Sequence, residues 1–204
     1  MRMRNKILHV YPKADFICSS AKRIYVADFS ERTKAVRKVE VHEQVPSCPL
    51  RPDQKMDCFV LDNRNSLPID FHIFAEQQLT DDEGKEIEHC ECCFFPAGAD
   101  KGPFWMAFLE IKDCKAKNIV QYKDKTKEQI ISTVRLFRKR GILPTGRVYG
   151  LISFPRRKKV AFDQTIFEDV TEYKRLYKTE HIHFFANNEI ITDEASVLYH
   201  PKQG

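Results

Sequence analysis

Short apolar runs alternate with polar, proline-punctuated intervals along this chain, and the period of each run predicts its element. Lys6 to Tyr11, Arg23 to Phe29 and Ala35 to His42 read as short strands. Pro46, Pro49 and Pro52 then interrupt the pattern, and Met56 to Leu61 and Ile69 to Phe74 resume it as extended segments. Asp81-Asp82-Glu83-Gly84-Lys85 is a polar turn. Cys90 to Phe95 and Phe104 to Ile111 are apolar runs joined by Pro96-Ala97-Gly98-Ala99-Asp100-Lys101-Gly102-Pro103, which predicts an antiparallel hairpin. The second run is apolar on both faces, so its strand should be central and covered on both sides.

Thr126 to Arg140 carries the clearest helical period. Ile130, Val134 and Phe137, joined by Ile131, form one stripe. Thr126 with Gln129 has the spacing of a capping box, and Gly141 stops the helix after a basic last turn. Val148 to Phe154 predicts another strand, a second helix falls between Phe162 and Tyr177, and His181 to Ala186 and Glu189 to Ile191 end the chain as short extended pieces. The order gives an α/β (α+β) class: a mixed central β-sheet flanked by helices, with additional N-terminal strands. A single domain over 1–204 is expected, with a β-rich N-terminal extension over 1–50 and a main part over 56–204 whose core spans 88–155.

Composition narrows the function classes. At 204 residues and 42% hydrophobic, the chain suits one ordinary core. No stretch approaches the roughly 18 apolar residues of a membrane span. The basic start, Met1 to Lys6, leads into an apolar run stopped by Pro12, too short for a signal-peptide core, so a cytoplasmic protein with no membrane partner is expected. The seven cysteines are an odd number and read as reduced thiols. Zinc is one use for His89, Cys90, Cys92 and Cys93, but no second C-x-x-C pair accompanies them. On a strand Cys90 and Cys92 would share a face, and small buried residues are the simpler reading. His181 and His183 would share one face of a half-exposed strand, Trp105 reads as core, and nothing fixes a cysteine–histidine nucleophile pair.

A net charge of +5 permits a nucleic-acid partner without demanding one. Two clusters are candidate phosphate contacts: Arg135, Arg138, Lys139 and Arg140 at a helix end, and Arg156, Arg157, Lys158 and Lys159 after a strand. Solvated surface explains either cluster equally well.

Chemistry concentrates in Phe104-Trp105-Met106-Ala107-Phe108-Leu109-Glu110-Ile111-Lys112. Alternation puts Glu110 and Lys112 on one face and Ile111 on the other. Charge at the end of a buried strand is costly unless paired or bound to metal. Phosphodiester hydrolysis supplies a reason: carboxylates hold a hard cation, and a lysine orients water or neutralises developing charge. The E-x-K spacing alone says little. Asp53-Gln54-Lys55, Glu83-Gly84-Lys85, Asp113-Cys114-Lys115 and Glu172-Tyr173-Lys174 repeat it, and only the Glu110 copy ends a long apolar strand after a hairpin. A second carboxylate is needed. Asp100 lies at the loop end, about 20 Å from Glu110 at about 3.3 Å rise per residue, whereas Glu91 or its neighbour Cys90 should face Glu110.

These runs, Cys90-Glu91-Cys92-Cys93-Phe94-Phe95 and Phe108-Leu109-Glu110-Ile111-Lys112-Asp113, resemble the core of the PD-(D/E)xK, or restriction-endonuclease-like, nuclease superfamily. The resemblance covers roughly Glu88 to Pro155. It departs at the first acid, usually Asp and often after Pro, here Glu91 after Cys90. The resemblance implies a restriction-endonuclease-like core and Mg²⁺- or Mn²⁺-dependent cleavage, more often of DNA than of RNA. It further implies Glu91 and Glu110 as metal ligands, the Ile111 carbonyl as a further ligand, Lys112 as catalytic lysine and Gln129 in support. Arg135, Arg138, Lys139, Arg156 and Arg157 would contact nucleic acid, and a partner chain would supply specificity or ATPase activity, as in a bacterial defence or repair system. The alternative is a non-catalytic nucleic-acid-binding or assembly subunit built on the same fold.

Overall fold

A computed structural model describes residues 2–30, 38–98, 103–114, 118–144, 146–157, 166–167 and 170–201. Asp100, Lys158, Lys159 and the start of the expected second helix lie outside them. The described elements are α1 (Met3–Val10), β1 (Ile17–Ser19), β2 (Arg23–Asp28), β3 (Val39–His42), β4 (Ser47–Cys48), β5 (Arg51–Lys55), β6 (Phe59–Asn63), β7 (Ile69–Ile73), β8 (Cys92–Pro96), β9 (Met106–Ile111), α2 (Ile119–Lys139), β10 (Val148–Ser153), α3 (Val170–Glu180), β11 (His183–Ala186), β12 (Glu189–Glu194) and β13 (Val197–Tyr199).

The class is mixed α+β. A six-stranded sheet in the order β1-β7-β8-β9-β10-β11 lies at the centre. β7, β8 and β9 run antiparallel to their neighbours; β9, β10 and β11 run parallel. The step from β9 to parallel β10 passes through α2, the long crossover that a parallel pair requires. Alternation along β9 assigns its two faces. Met106 and Phe108 pack with Ile130, Val134 and Phe137 of α2 and with Met3 and Ile7 of α1. Ala107, Leu109 and Ile111 pack against Ile24, Val26, Phe59 and Leu61 of the second sheet. Helices therefore cover one face of the central sheet and a five-stranded sheet, β13-β12-β6-β2-β3, covers the other. Every residue of β9 is buried, as an apolar run on both faces requires.

Close approach of α2 depends on Gly150 in β10. A Cβ there would stand 2.7 Å from the Phe184 ring and 3.0 Å from Ile130 Cγ2. Trp105 is fully buried and donates its indole N–H to the Glu194 carbonyl at 3.1 Å.

Several expectations change. Lys6 to Tyr11 belongs to a helix, not a strand: Met3 and Ile7, one turn apart, bury the same stripe. α2 begins at Ile119, seven residues before Thr126. Thr126 is an interior residue whose hydroxyl donates to the Lys123 carbonyl at 2.9 Å, so Thr126 and Gln129 form no capping box. The helix ends as expected: Gly141 takes φ 68°, and Ile142 N–H returns to the Phe137 carbonyl at 2.9 Å. Cys90 and Cys92 do not share a face. Cys90 precedes β8 and packs on the helical side with Cys93, while Cys92 faces the second sheet. His181 is outside β11, with φ 54° beyond the end of α3, so it does not pair with His183 on a strand face. β1, the β4–β5 hairpin and β13 were not legible from the apolar pattern.

Candidate active site

β8 and β9 pair through Cys92↔Leu109, Cys93↔Phe108 and Phe94↔Ala107. One residue earlier, Glu91 N–H donates to the Leu109 carbonyl at 3.0 Å, and its own carbonyl accepts from Phe74 N–H at 3.0 Å. Glu91 is thereby clamped between two strands next to the carboxyl end of β9, the position the hairpin count required. There Glu110 has no solvent exposure, and its Oε1 lies 2.5 Å from Lys112 Nζ, whose side chain is 21% exposed. Alternation holds: Glu110 and Lys112 share the helical face, and Ile111 is buried in the inter-sheet core. The Lys112 backbone is fixed by its N–H bond to the Ser153 carbonyl of β10, 2.9 Å.

Glu91 and Lys112 line a cleft of about 310 Å³ together with Asp28, Ser30, Asp113, Cys114, Tyr122, Lys125 and Gln129. Glu110 is not among the lining residues, whereas its ion-pair partner Lys112 is. The wall opposite is the first half of α2. Gln129 reaches it, 8% exposed. Its amide nitrogen donates to the His89 carbonyl at 3.0 Å, while its buried amide oxygen has no hydrogen-bond partner among the described residues. A Gln engaged on the strand side is not a cap, so the helix-side role implied for Gln129 is geometrically open.

Asp28 was missed by the sequence reading. It ends β2 in the second sheet, 7% exposed, and continues the inward stripe of Ile24 and Val26. The available signal was a carboxylate at a core-facing strand position. Its Oδ1 accepts the Ser30 N–H at 2.9 Å. Burial raises the Asp28 carboxyl above its ordinary value; the Ser30 bonds and Lys112 oppose this, and Glu91 adds to it. For Lys112, burial acts to lower the ammonium, but Glu110, Glu91 and Asp28 together outweigh it and hold the value above ordinary. Of these carboxylates, Glu110 is the one in contact with Lys112, at 2.5 Å.

The donor set suits a hard cation. Glu91 and Glu110 carry carboxylate oxygens of the kind a hard cation takes, and the buried Gln129 amide oxygen has no hydrogen-bond partner among the described residues. The three other described copies of the spacing lack this setting: Asp53, Lys55, Glu83, Lys85 and Lys174 are all exposed. Among the described residues, no three His, Cys, Asp or Glu side chains converge closely enough to hold an ion by themselves. An ion here would also need carbonyl or water oxygens, which hard cations routinely accept.

The basic clusters sit elsewhere. Arg135 forks onto Glu180 at 3.0 and 2.5 Å, Arg138 donates to the Glu180 carbonyl, and Lys139 pairs with Asp82, all around the far half of α2. Arg156 grips Asp113 through two bonds of 2.5 and 2.7 Å, and so stands behind the cleft wall. Arg157 follows it, its N–H bonded to the Phe154 carbonyl at 2.9 Å. The exposed cation at the cleft mouth is Lys125, 3.8 Å from Glu88. No described helix is long and apolar enough to cross a membrane. Comparison with protein-family models, with curated proteins and with solved structures finds no match to this chain.

Proposed function

We propose that this chain is a divalent-cation-dependent nuclease that hydrolyses phosphodiester bonds, with DNA as the favoured polymer, Mg²⁺ or Mn²⁺ as cofactor and the cytoplasm as its place of action. The observation that carries the reading is the buried Glu110–Lys112 pair at the carboxyl end of β9, with Glu91 and Gln129 converging on the same cleft. The order of β8, β9, α2 and parallel β10 supports it, since the resembled nuclease core runs strand, hairpin, strand, helix, strand. Ions are found in such sheets outside the carboxyl ends of strands, where this cleft opens.

Glu91 and Glu110 would hold the cation, with the Ile111 carbonyl as a further ligand. Such a cation, when bound, would supply polarisation of a phosphate and a lowered pKa for an attacking water. Lys112, held protonated, faces the developing negative charge on the phosphate oxygens. Gln129 offers its amide oxygen to orient a water. Lys125 and Tyr122 stand at the cleft wall, where a cation and a ring can meet a phosphate and a base. Choice of sequence would rest with a partner chain.

The test incubates plasmid, single-stranded DNA and RNA with the protein in Mg²⁺, Mn²⁺ or EDTA, beside Glu110→Ala and Lys112→Ala. The reading expects cleavage that requires the cation and is lost in both variants. Absence of cleavage together with absence of Mn²⁺ binding by calorimetry would refute it and leave a non-catalytic binding or assembly subunit.

A further inference from the structure

The central sheet holds a second cavity at the end away from the cleft. Asp70 pairs with Phe95 near the far end of β8, whereas Glu91 precedes its start. A cavity of about 220 Å³ there is lined by Cys18, Asp70, Phe95 to Gly98 and the start of α1, Arg2 to Asn5. Asp70 is 3% exposed, and its Oδ1 accepts no hydrogen bond among the described residues. Arg4 Nη1 stands 3.7 Å away, near enough to offset charge but too far to donate. Cys18, across the β1–β7 pair, offers a thiol, a weak donor that burial and Asp70 keep protonated. A buried carboxylate with an unfilled acceptor site costs free energy, so this oxygen is suited to a strong donor brought from outside.

The helix start carries the opposite need. Lys6 N–H bonds back to the Arg2 carbonyl at 3.0 Å, so the N–H groups of Met3, Arg4 and Asn5 come before the first bond of the helix and have no partner within it. Among the described residues no side chain caps this end, and no acidic residue stands in its first turn. Arg4 adds a guanidinium, seated over the Phe16 ring at 4.9 Å. One cavity thus presents an acceptor lacking a donor beside donors lacking an acceptor. An anion alone would meet Asp70; a cation alone would meet Arg4 and the positive end of the helix. A ligand carrying both charges close together suits both. We infer that the cavity binds a free α-amino acid, its ammonium donating to Asp70 Oδ1 and its carboxylate accepting from the α1 N–H groups and Arg4. The size agrees: 220 Å³ is less than the roughly 300 Å³ at which pockets for drug-sized ligands begin. This site is separate from the cleft and does not rest on the nuclease reading.

The experiment is isothermal titration calorimetry of the whole chain with each common α-amino acid in turn, and with its N-acetyl and methyl-ester forms. At least one free amino acid should bind. Its N-acetyl form, which lacks the ammonium, and its methyl ester, which lacks the carboxylate, should each bind about tenfold more weakly or worse, because each leaves a charged partner unpaired. Asp70→Asn, with folding verified by circular dichroism, should weaken the free amino acid by a similar factor. No binding by any free amino acid at millimolar concentration overturns the inference. An N-acetyl form that binds as well overturns it, because Asp70 would then be idle, and an equally good methyl ester does so for the helix end. Both comparisons use wild type, so they decide the matter even where Asp70→Asn does not fold. Wild-type affinity in folded Asp70→Asn also overturns the inference, since the amino acid would then sit elsewhere.

Discussion

Replacing Lys112 with Met tests the core of the site without any substrate. Met keeps most of the side-chain length and removes the charge that faces Glu110 at 2.5 Å. Breaking a buried ion pair costs about 3–5 kcal/mol, because the remaining charge stays desolvated. Lys112 is 21% exposed, so water reaches part of the pair and the lower end applies, about 3 kcal/mol. The raised Lys112 value fixes the sign. Its contribution is fully present below the unfolded lysine value and is lost only as pH rises through the folded one, so measurements at pH 7 see all of it. At about 2–4 °C per kcal/mol for a chain of this size, the metal-free variant should melt about 6–12 °C below wild type. Mn²⁺ should raise the melting point of both proteins; at a hundredfold excess over Kd, binding stabilises by about 2.7 kcal/mol. Differential scanning calorimetry with and without Mn²⁺ reads both quantities. A metal-free variant that melts with wild type would show that Glu110 does not depend on Lys112, and melting points unmoved by Mn²⁺ in both proteins would remove the ion from the site.

Two further outcomes follow from the surroundings of the site. His72 is 1% exposed, with Nδ1 2.8 Å from the Asp15 carbonyl and Nε2 3.0 Å from Gln78 Nε2, a pattern that only a neutral ring protonated on Nδ1 satisfies. Burial lowers its pKa, partly offset by Asp15, so its stabilisation is present above about pH 6.5 and is lost as pH falls through the folded value. Wild type should therefore lose stability relative to His72→Asn between pH 7 and 5, by up to about 1.4 kcal/mol per pH unit in urea titrations, and parallel curves would refute the assignment. Because Arg156 is committed to Asp113 while Lys125 is exposed at the cleft mouth, Lys125→Ala should reduce the salt slope of DNA binding by about one and Arg156→Ala should leave it unchanged; fluorescence anisotropy across a salt series showing the reverse would return the phosphate contact to Arg156.

The sequence by itself determined the elements whose apolar pattern is strong and the charged side chains they carry. β9 reads as a buried central strand because nothing polar interrupts Met106 to Leu109, and Glu110 and Lys112 must then share a face because side chains alternate. Hairpin arithmetic selected Glu91 and set aside Asp100. Weak or misleading local patterns failed. Lys6 to Tyr11 is too short to separate a strand from a helix, and the start of α2 is masked by polar residues on its solvent side. Only the tertiary structure decided what covers each face of the central sheet. Segments distant in the chain, β2, β6 and β12, had to meet before a second sheet existed. The same assembly brought Asp28 to the cleft, tied Arg135 into an ion pair away from it and committed Arg156 to Asp113 of its lining. A local pattern fixes which way a side chain points along its own strand; which charge it meets depends on the packing of elements that the local pattern does not encode.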